Sequence, residues 1–466
     1  MSKVCRIVSL IMILCLLCAS GGSAFAVGDS LFSFFNKSDE VTISKDEYDR
    51  LKAEVDSLKQ FAKLAEIMDV VDEYYYEEPD KSAMLEYAIW GMLQGLGDNY
   101  TFYYNPKSWK QMWEDDEGVY AGVGIQMLAD FTANTVTISR VFKDTPAQEA
   151  GLKKGDRLIR VDDLTVTAET MQDAANLMRG KEAETVEIEV VRKGENIVFT
   201  VGRRVITVNT VESTMLDNQV GLIILYDFAG DCVASFTQAL KELREQGATA
   251  LVVDLRDNGG GWVDAAEKIA DLFVDKQLLF YAEDRFGNRN ETYTKDGKDD
   301  IPLVIMINGG SASSSEILSG SLRAAGRARL LGTQSYGKGI MQYVVPLSGV
   351  DGDEDGMQVT FAQYFMPDGQ VVHKVGLTPD VVVEMPEELA AEYFELGDMT
   401  DPQLQAAWEE AVKLRQDETL GAEAADEPAD NESAGETDWS FSAEDLLPAW
   451  LKTDEIMILR IYAGSA

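Results

Sequence analysis

Three short apolar runs, Val220–Leu225, Ala250–Asp254 and Leu303–Ile307, constrain this chain more than any other feature. A strand with little polar surface needs cover on both faces, and the intervening residues 233–245 and 263–273 carry helical periodicity. Residues 220 to about 383 are therefore predicted to form a layered β/α domain. At 466 residues the chain has room for more, roughly three domains at the usual size.

Composition narrows the function. A formal net charge of −40 argues against nucleic-acid binding through a basic surface. The single histidine, His373, and four cysteines form no cluster with metal-ligand spacing, so no metal is expected. Cys5, Cys15 and Cys18 lie in the N-terminal apolar stretch, which leaves Cys232 alone in the rest of the chain.

That stretch reads as an export signal. Lys3 and Arg6 precede an apolar run over residues 7–19, and Ser23-Ala24-Phe25-Ala26 offers small residues at A-x-A spacing, which predicts cleavage after Ala26. A retained anchor, with membrane association through residues 7–27, is the second reading. A lipid-modified Cys18 is the third, with Leu17 where a small residue is expected. Each places the remainder outside the cytoplasm.

Residues 27–117 are predicted to be a helical region. Ser44 and Glu47 match a capping box, and Tyr48, Leu51, Val55, Leu58, Ala62 and Ala65 make a short heptad stripe, open between homodimer formation and packing within its own domain. A second helix is expected over residues 82–96, ending at Gly97. Residues 118–204 alternate short β-rich runs with turns and one helix over 169–179, an α+β module. At its start, Ala121, Gly122, Val123 and Gly124 form either an anion-binding nest or a plain turn. Residues 205–400 complete the β/α domain, and residues 401–415 read as a helix. Residues 416–440 hold nine acidic residues and no basic ones, the composition of a disordered linker. Residues 441–466 regain apolar side chains without an assignable role.

Chemistry concentrates in three loops. The first, Asp254-Leu255-Arg256-Asp257-Asn258-Gly259-Gly260-Gly261, follows an apolar strand; its glycines permit either close approach of backbone N–H groups to an oxyanion or a flexible turn. The second, Gly310-Ser311-Ala312-Ser313-Ser314-Ser315-Glu316-Ile317, enters a helix, where a serine is either a cap or a nucleophile favoured by the helix dipole. The third, Ser335-Tyr336-Gly337-Lys338-Gly339-Ile340-Met341-Gln342, sets a lysine among apolar residues, and burial lets such a lysine lose its proton near neutrality. His373, within an apparent strand, is the weaker candidate for a base.

These three motifs, with Gly91-Met92-Leu93-Gln94-Gly95-Leu96-Gly97-Asp98 and Tyr120-Ala121-Gly122-Val123-Gly124, resemble the C-terminal processing peptidases (tail-specific or carboxy-terminal proteases), serine-lysine peptidases with a PDZ domain. The resemblance covers residues 58–383. It implies an α/β fold, α+β overall: a β/α-layered peptidase core of crotonase- or ClpP-like type, an inserted PDZ domain and an N-terminal helical region. It also implies Ser313 as nucleophile, Lys338 as base and Gln342 as the residue that orients it. The backbone N–H groups of Gly259, Gly260 and Ser314 would form the oxyanion hole, and Ala121 to Gly124 would hold a peptide carboxylate. No cofactor is implied. The expected partners are protein or peptide substrates with apolar C-termini and a regulatory adaptor. Two rival classes are a non-catalytic PDZ scaffold and an enzyme using the glycine loop for an enolate or thioester oxyanion. The second needs a nucleotide-carrier pocket, for which the chain offers no basic cluster.

Overall fold

The computed structural model describes residues 44–130, 133–180, 183–295, 297, 299–348, 354–386, 389, 394–424 and 458–462. The export-signal segment lies outside them, as do residues 425–457 and 463–466, which hold much of the acidic stretch and most of the C-terminal segment. The chain divides into two compact units between Ala88 and Ile89.

In the first unit, α1 (Lys45–Leu58) starts where the Ser44 hydroxyl accepts the Glu47 N–H at 3.1 Å. A 3-10 turn over Lys59–Phe61 then interrupts the helix before α2 (Ala62–Tyr74). The heptad stripe is thus broken between Leu58 and Ala62. On α2, Leu64, Ile67, Val70 and Tyr74 are exposed. Helix α3 (Lys81–Gln94) crosses into the second unit and stops ahead of Gly97, whose φ of 66° is left-handed.

The second unit begins with β1 (Phe102–Tyr104), α4 (Pro106–Glu117) and β2 (Val119–Gly122). An antiparallel sheet follows: β3 (Ile125–Asp130), β4 (Thr135–Val141), β5 (Arg157–Val161), β7 (Thr185–Arg192) and β8 (Glu195–Gly202), paired in that order, with β6 (Leu164–Thr165) on β5. Helices α5 (Pro146–Ala150) and α6 (Met171–Met178) pack on it around Val136, Ile138, Leu158, Ile188 and Val190. Strand β9 (Arg204–Thr207) returns to β2, so this module is inserted between α4 and the β/α layers.

Those layers hold two sheets. The order of the first is β10 (Val211–Leu216), β11 (Val220–Leu225), β12 (Ala250–Asp254), β16 (Leu303–Ile307), β17 (Ala328–Gly332) and β20 (Val381–Val382). Strands β11, β12, β16, β17 and β20 are parallel. Helices α7 (Cys232–Glu245), α8 (Val263–Ala270) and α9 (Ser314–Ala324) contribute to the core on one face, and α10 (Pro402–Ala424) packs against the other. Two-sided cover explains the apolar runs. The second sheet contains β13 (Gly260–Trp262), β14 (Leu278–Asp284), β15 (Arg289–Tyr293), β18 (Ile340–Ser348), β19 (Glu354–Phe365) and, between β13 and β18, β21 (Ile458–Tyr462).

Two expectations need correction. Helix α10 continues to Ala424, so the start of the acidic stretch is helical; its Ala, Leu and Glu residues are good helix formers. His373 occupies a turn, not a strand.

Candidate active site

Ser313 sits on a strand-to-helix turn. It links β16 to α9 with φ 59° and ψ −117°, a backbone state that costs of order 1–3 kcal/mol for a non-glycine residue. Hydrogen bonds hold it there. The Ser313 N–H donates to Glu316 Oε2 at 2.9 Å, and the Lys338 N–H donates to the same oxygen at 2.9 Å. Glu316 Oε1 accepts from the Gly337 N–H at 2.8 Å and from the Ser335 hydroxyl. One fully buried carboxylate therefore joins the serine loop to the lysine loop. Burial pushes its pKa up against those hydrogen bonds.

The neighbouring serines have structural partners. Ser311 Oγ donates to the Leu255 carbonyl, Ser314 Oγ to that of Gly261 and Ser315 Oγ to that of Asn258. The Ala312 N–H also reaches the Asn258 carbonyl, at 3.0 Å. These bonds press the glycine loop against the serine turn. In contrast, the Ser313 hydroxyl is buried with no hydrogen-bond partner among the described residues, as are Lys338 Nζ and Gln342 Oε1. The structure gathers Ser313 and Lys338 around Glu316 without a bond between hydroxyl and amine.

Lys338 is 1% exposed. Burial lowers its pKa to about 7, against the opposing charges of Asp98 and Glu316. Its Nζ lies 4.4 Å from the centre of the Tyr100 ring, and its carbonyl accepts the Tyr364 hydroxyl at 2.8 Å. On β18, Gln342 Nε2 donates to Thr360 Oγ1 at 3.1 Å.

Of the expected oxyanion donors, the Gly260 N–H is committed elsewhere, to Asn258 Oδ1 at 2.9 Å. Gly260 serves the site by its φ of 107° and its lack of a side chain: a Cβ there would lie 2.8 Å from Ser313 Cβ and 3.0 Å from the Ser314 nitrogen. Ser314 opens α9, where first-turn N–H groups point outward. His373 approaches the lysine loop through its backbone, beside Gly339. It makes no bond to the Ser313 hydroxyl.

Ala121 to Gly124 lie in the inserted module and lead into β3. There Val123, Gly124, Ile125 and Met127 face Met171 and Met178 of α6 across an apolar groove.

Residues 219–383 match peptidase family S41, residues 137–192 match the PDZ domain, and residues 17–108 match the activating protease CtpB N-terminal domain. The carboxyl-terminal-processing protease of Synechocystis is 33% identical over 72% of this chain and 79% of its own length. The chain belongs to peptidase family S41. The carboxy-terminal-processing protease of Bartonella bacilliformis is 31% identical over 72% of this chain and 77% of that protein. Among solved structures, the photosystem II D1 C-terminal processing protease aligns with a TM-score of 0.51 at 30% identity, covering 70% of this chain and 88% of that one. This S41 chain is thus a serine peptidase of the C-terminal processing class, an α/β fold carrying a PDZ domain.

Within that fold, sequence motifs point to Ser313, Lys338 and Gln342 but not to the roles of Glu316, Asp98 and Thr360. In sequence Glu316 reads as the third residue of a helix cap. Asp98 closes a motif far along the chain from the lysine it faces.

Proposed function

We propose that this peptidase is exported, captures the C-terminal tail of protein substrates in its PDZ groove and cleaves them with Ser313 and Lys338. The observation that carries the reading is the burial of Lys338 beside the serine turn, which lowers its pKa to about 7 so that much of the amine is neutral at neutral pH. As substrate enters, the neutral amine takes the Ser313 proton while the hydroxyl oxygen attacks the peptide carbonyl. The Gly259 and Ser314 N–H groups hold the developing oxyanion, an arrangement in which each donor is worth about 10² to 10³ in rate. The lysine then protonates the leaving amine, and water hydrolyses the acyl ester with the lysine again as base.

The apolar groove between β3 and α6 suits a tail added as an extra strand, with its carboxylate at residues 121–124. The A-x-A segment at Ser23–Ala26 supports export. The exposed apolar residues of α2 support pairing of two copies, which the mass in solution tests. A regulatory adaptor would act on the PDZ module, tied to the core by Arg140, whose guanidinium lies 3.2 Å from the centre of the Tyr226 ring.

The test uses an unfolded protein with an apolar C-terminus, with and without its last three residues. Wild type is expected to cleave the intact form faster, with or without chelator. Ser313→Ala and Lys338→Ala should each lose about 10⁴-fold or more while still binding the tail. Chelator-sensitive cleavage that survives the lysine change rejects the mechanism.

A further inference from the structure

The serine-lysine reaction leaves unused the end of the Gly91–Asp98 motif, yet the fold carries it to the general base. Asp98 Oδ1 accepts the Tyr100 N–H at 3.0 Å, and Oδ2 accepts the Thr101 hydroxyl at 2.6 Å. Thr101 Oγ1 in turn accepts the Thr360 N–H at 3.0 Å. The Tyr100 carbonyl accepts Gln358 Nε2 at 3.1 Å, which fastens this loop along β19. Thr360 stands directly across from Gln342 in the β18–β19 register.

Hydrogen-bond direction follows from the carboxylate. Ionised Asp98 only accepts, so the Thr101 hydroxyl donates to it, and the Thr360 hydroxyl, which also helps to lower its pKa, turns its proton the same way. Burial works against its charge, but those hydroxyl bonds, the Tyr100 N–H and the Lys338 charge hold it below the ordinary carboxylate range. With its proton so directed, Thr360 Oγ1 is left as an acceptor, and the end of the Gln342 amide it can receive is the NH₂. That leaves Gln342 Oε1 as the acceptor available to Lys338 Nζ, both of them buried and without a hydrogen-bond partner among the described residues.

We propose that Asp98 and Thr360 are positioning residues for the peptidase reaction: through the Thr360 hydroxyl they fix the Gln342 amide with its oxygen toward Lys338, and so aim the general base at Ser313. The proposal rests on Lys338 being that base. Asp98 acts additionally by charge. The other titratable groups around the lysine loop are Glu316 from α9, Tyr364 from β19, whose hydroxyl binds the Lys338 carbonyl, Tyr100 from the loop before β1, with Tyr336 acting on Tyr100, and His373, whose backbone lies beside Gly339. All of them remain when only Thr360 or Asp98 is substituted.

The test follows pH profiles of Ser313 labelling by a fluorophosphonate, with kcat and KM for a peptide substrate in parallel, on the full chain. Thr360→Val should lower kcat and labelling by about tenfold to a hundredfold, the scale of a misplaced catalytic group, with KM and the acid limb unmoved. Thr360→Ser, which keeps the hydroxyl, should stay close to wild type. Asp98→Asn should slow labelling and move the acid limb to lower pH, because an anion favouring the ammonium is gone. Wild-type rates in Thr360→Val, equal losses in the serine and valine variants, or an unmoved acid limb in Asp98→Asn would each overturn the proposal. If Thr360→Val does not fold, the limb shift in Asp98→Asn, on a part-exposed loop, decides. Failure of wild type to label at Ser313 would instead reject the serine-lysine reading itself.

Discussion

At Gly260 the backbone and Ser313 compete for the same space. A Cβ there meets Ser313 Cβ at 2.8 Å and the Ala312 carbonyl at 2.9 Å, at a φ of 107° that disfavours any side chain. Gly260→Ala is therefore expected to lower kcat by about 10²-fold or more, measured in steady state; a wild-type kcat would mean that the serine turn yields freely. Lys338 makes a pH prediction. Its folded pKa of about 7 lies below the ordinary 10.5, so kcat/KM should rise as pH climbs through about 7 and the amine becomes neutral. Between the two values the unfolded chain binds a proton that the folded chain does not, so the Lys338 contribution to stability grows with pH there. Denaturation midpoints for wild type against Lys338→Met across that window check the sign, since the methionine variant loses this slope. Ser313 and Lys338 could be singled out in the sequence because their loops keep a recognisable local pattern, and the fold brings both loops to Glu316. Glu316 was not, because the role of a carboxylate binding four donors depends on a lysine loop 22 positions away.

The elements obey the same division between local and distant causes. Strands β11, β12 and β16 fall where the apolar runs place them, since burial on both faces leaves no polar register to misread. Helix α10 outruns its predicted end because charge suggested disorder while the helix propensity of Ala, Leu and Glu continues the helix. What holds α10 is also unreadable locally: Arg256, after β12, donates to Asp254 Oδ2 and Asp401 Oδ2, each at 2.7 Å, and to Gln403 Oε1 at 2.9 Å. Asp254 is 5% exposed and Asp401 1%. Removing the guanidinium leaves two buried carboxylates uncompensated, so Arg256→Ala should lose about 3–5 kcal/mol. A urea midpoint within error of wild type would contradict this role.

For the molecule as a whole, the C-terminal segment offers a feature to which the sequence assigns no role. Strand β21 runs antiparallel to β13, with Tyr462 opposite Gly260, Ile461 opposite Gly261 and Arg460 opposite Trp262, and it pairs on its other side with Tyr343 and Val344 of β18. Long-range strand pairing of this kind leaves no local signature, since any apolar alternation suits an edge. Gly260 is the residue packed against Ser313, so the chain's own strand takes the edge beside that serine. An extended peptide adding a strand there would compete with β21 for the same backbone partners. Truncation before Ile458 should lower KM for an extended peptide while kcat and the affinity of the isolated tail for the PDZ groove stay as they were. A raised KM together with a lower melting temperature would show instead that β21 is a structural member of the sheet.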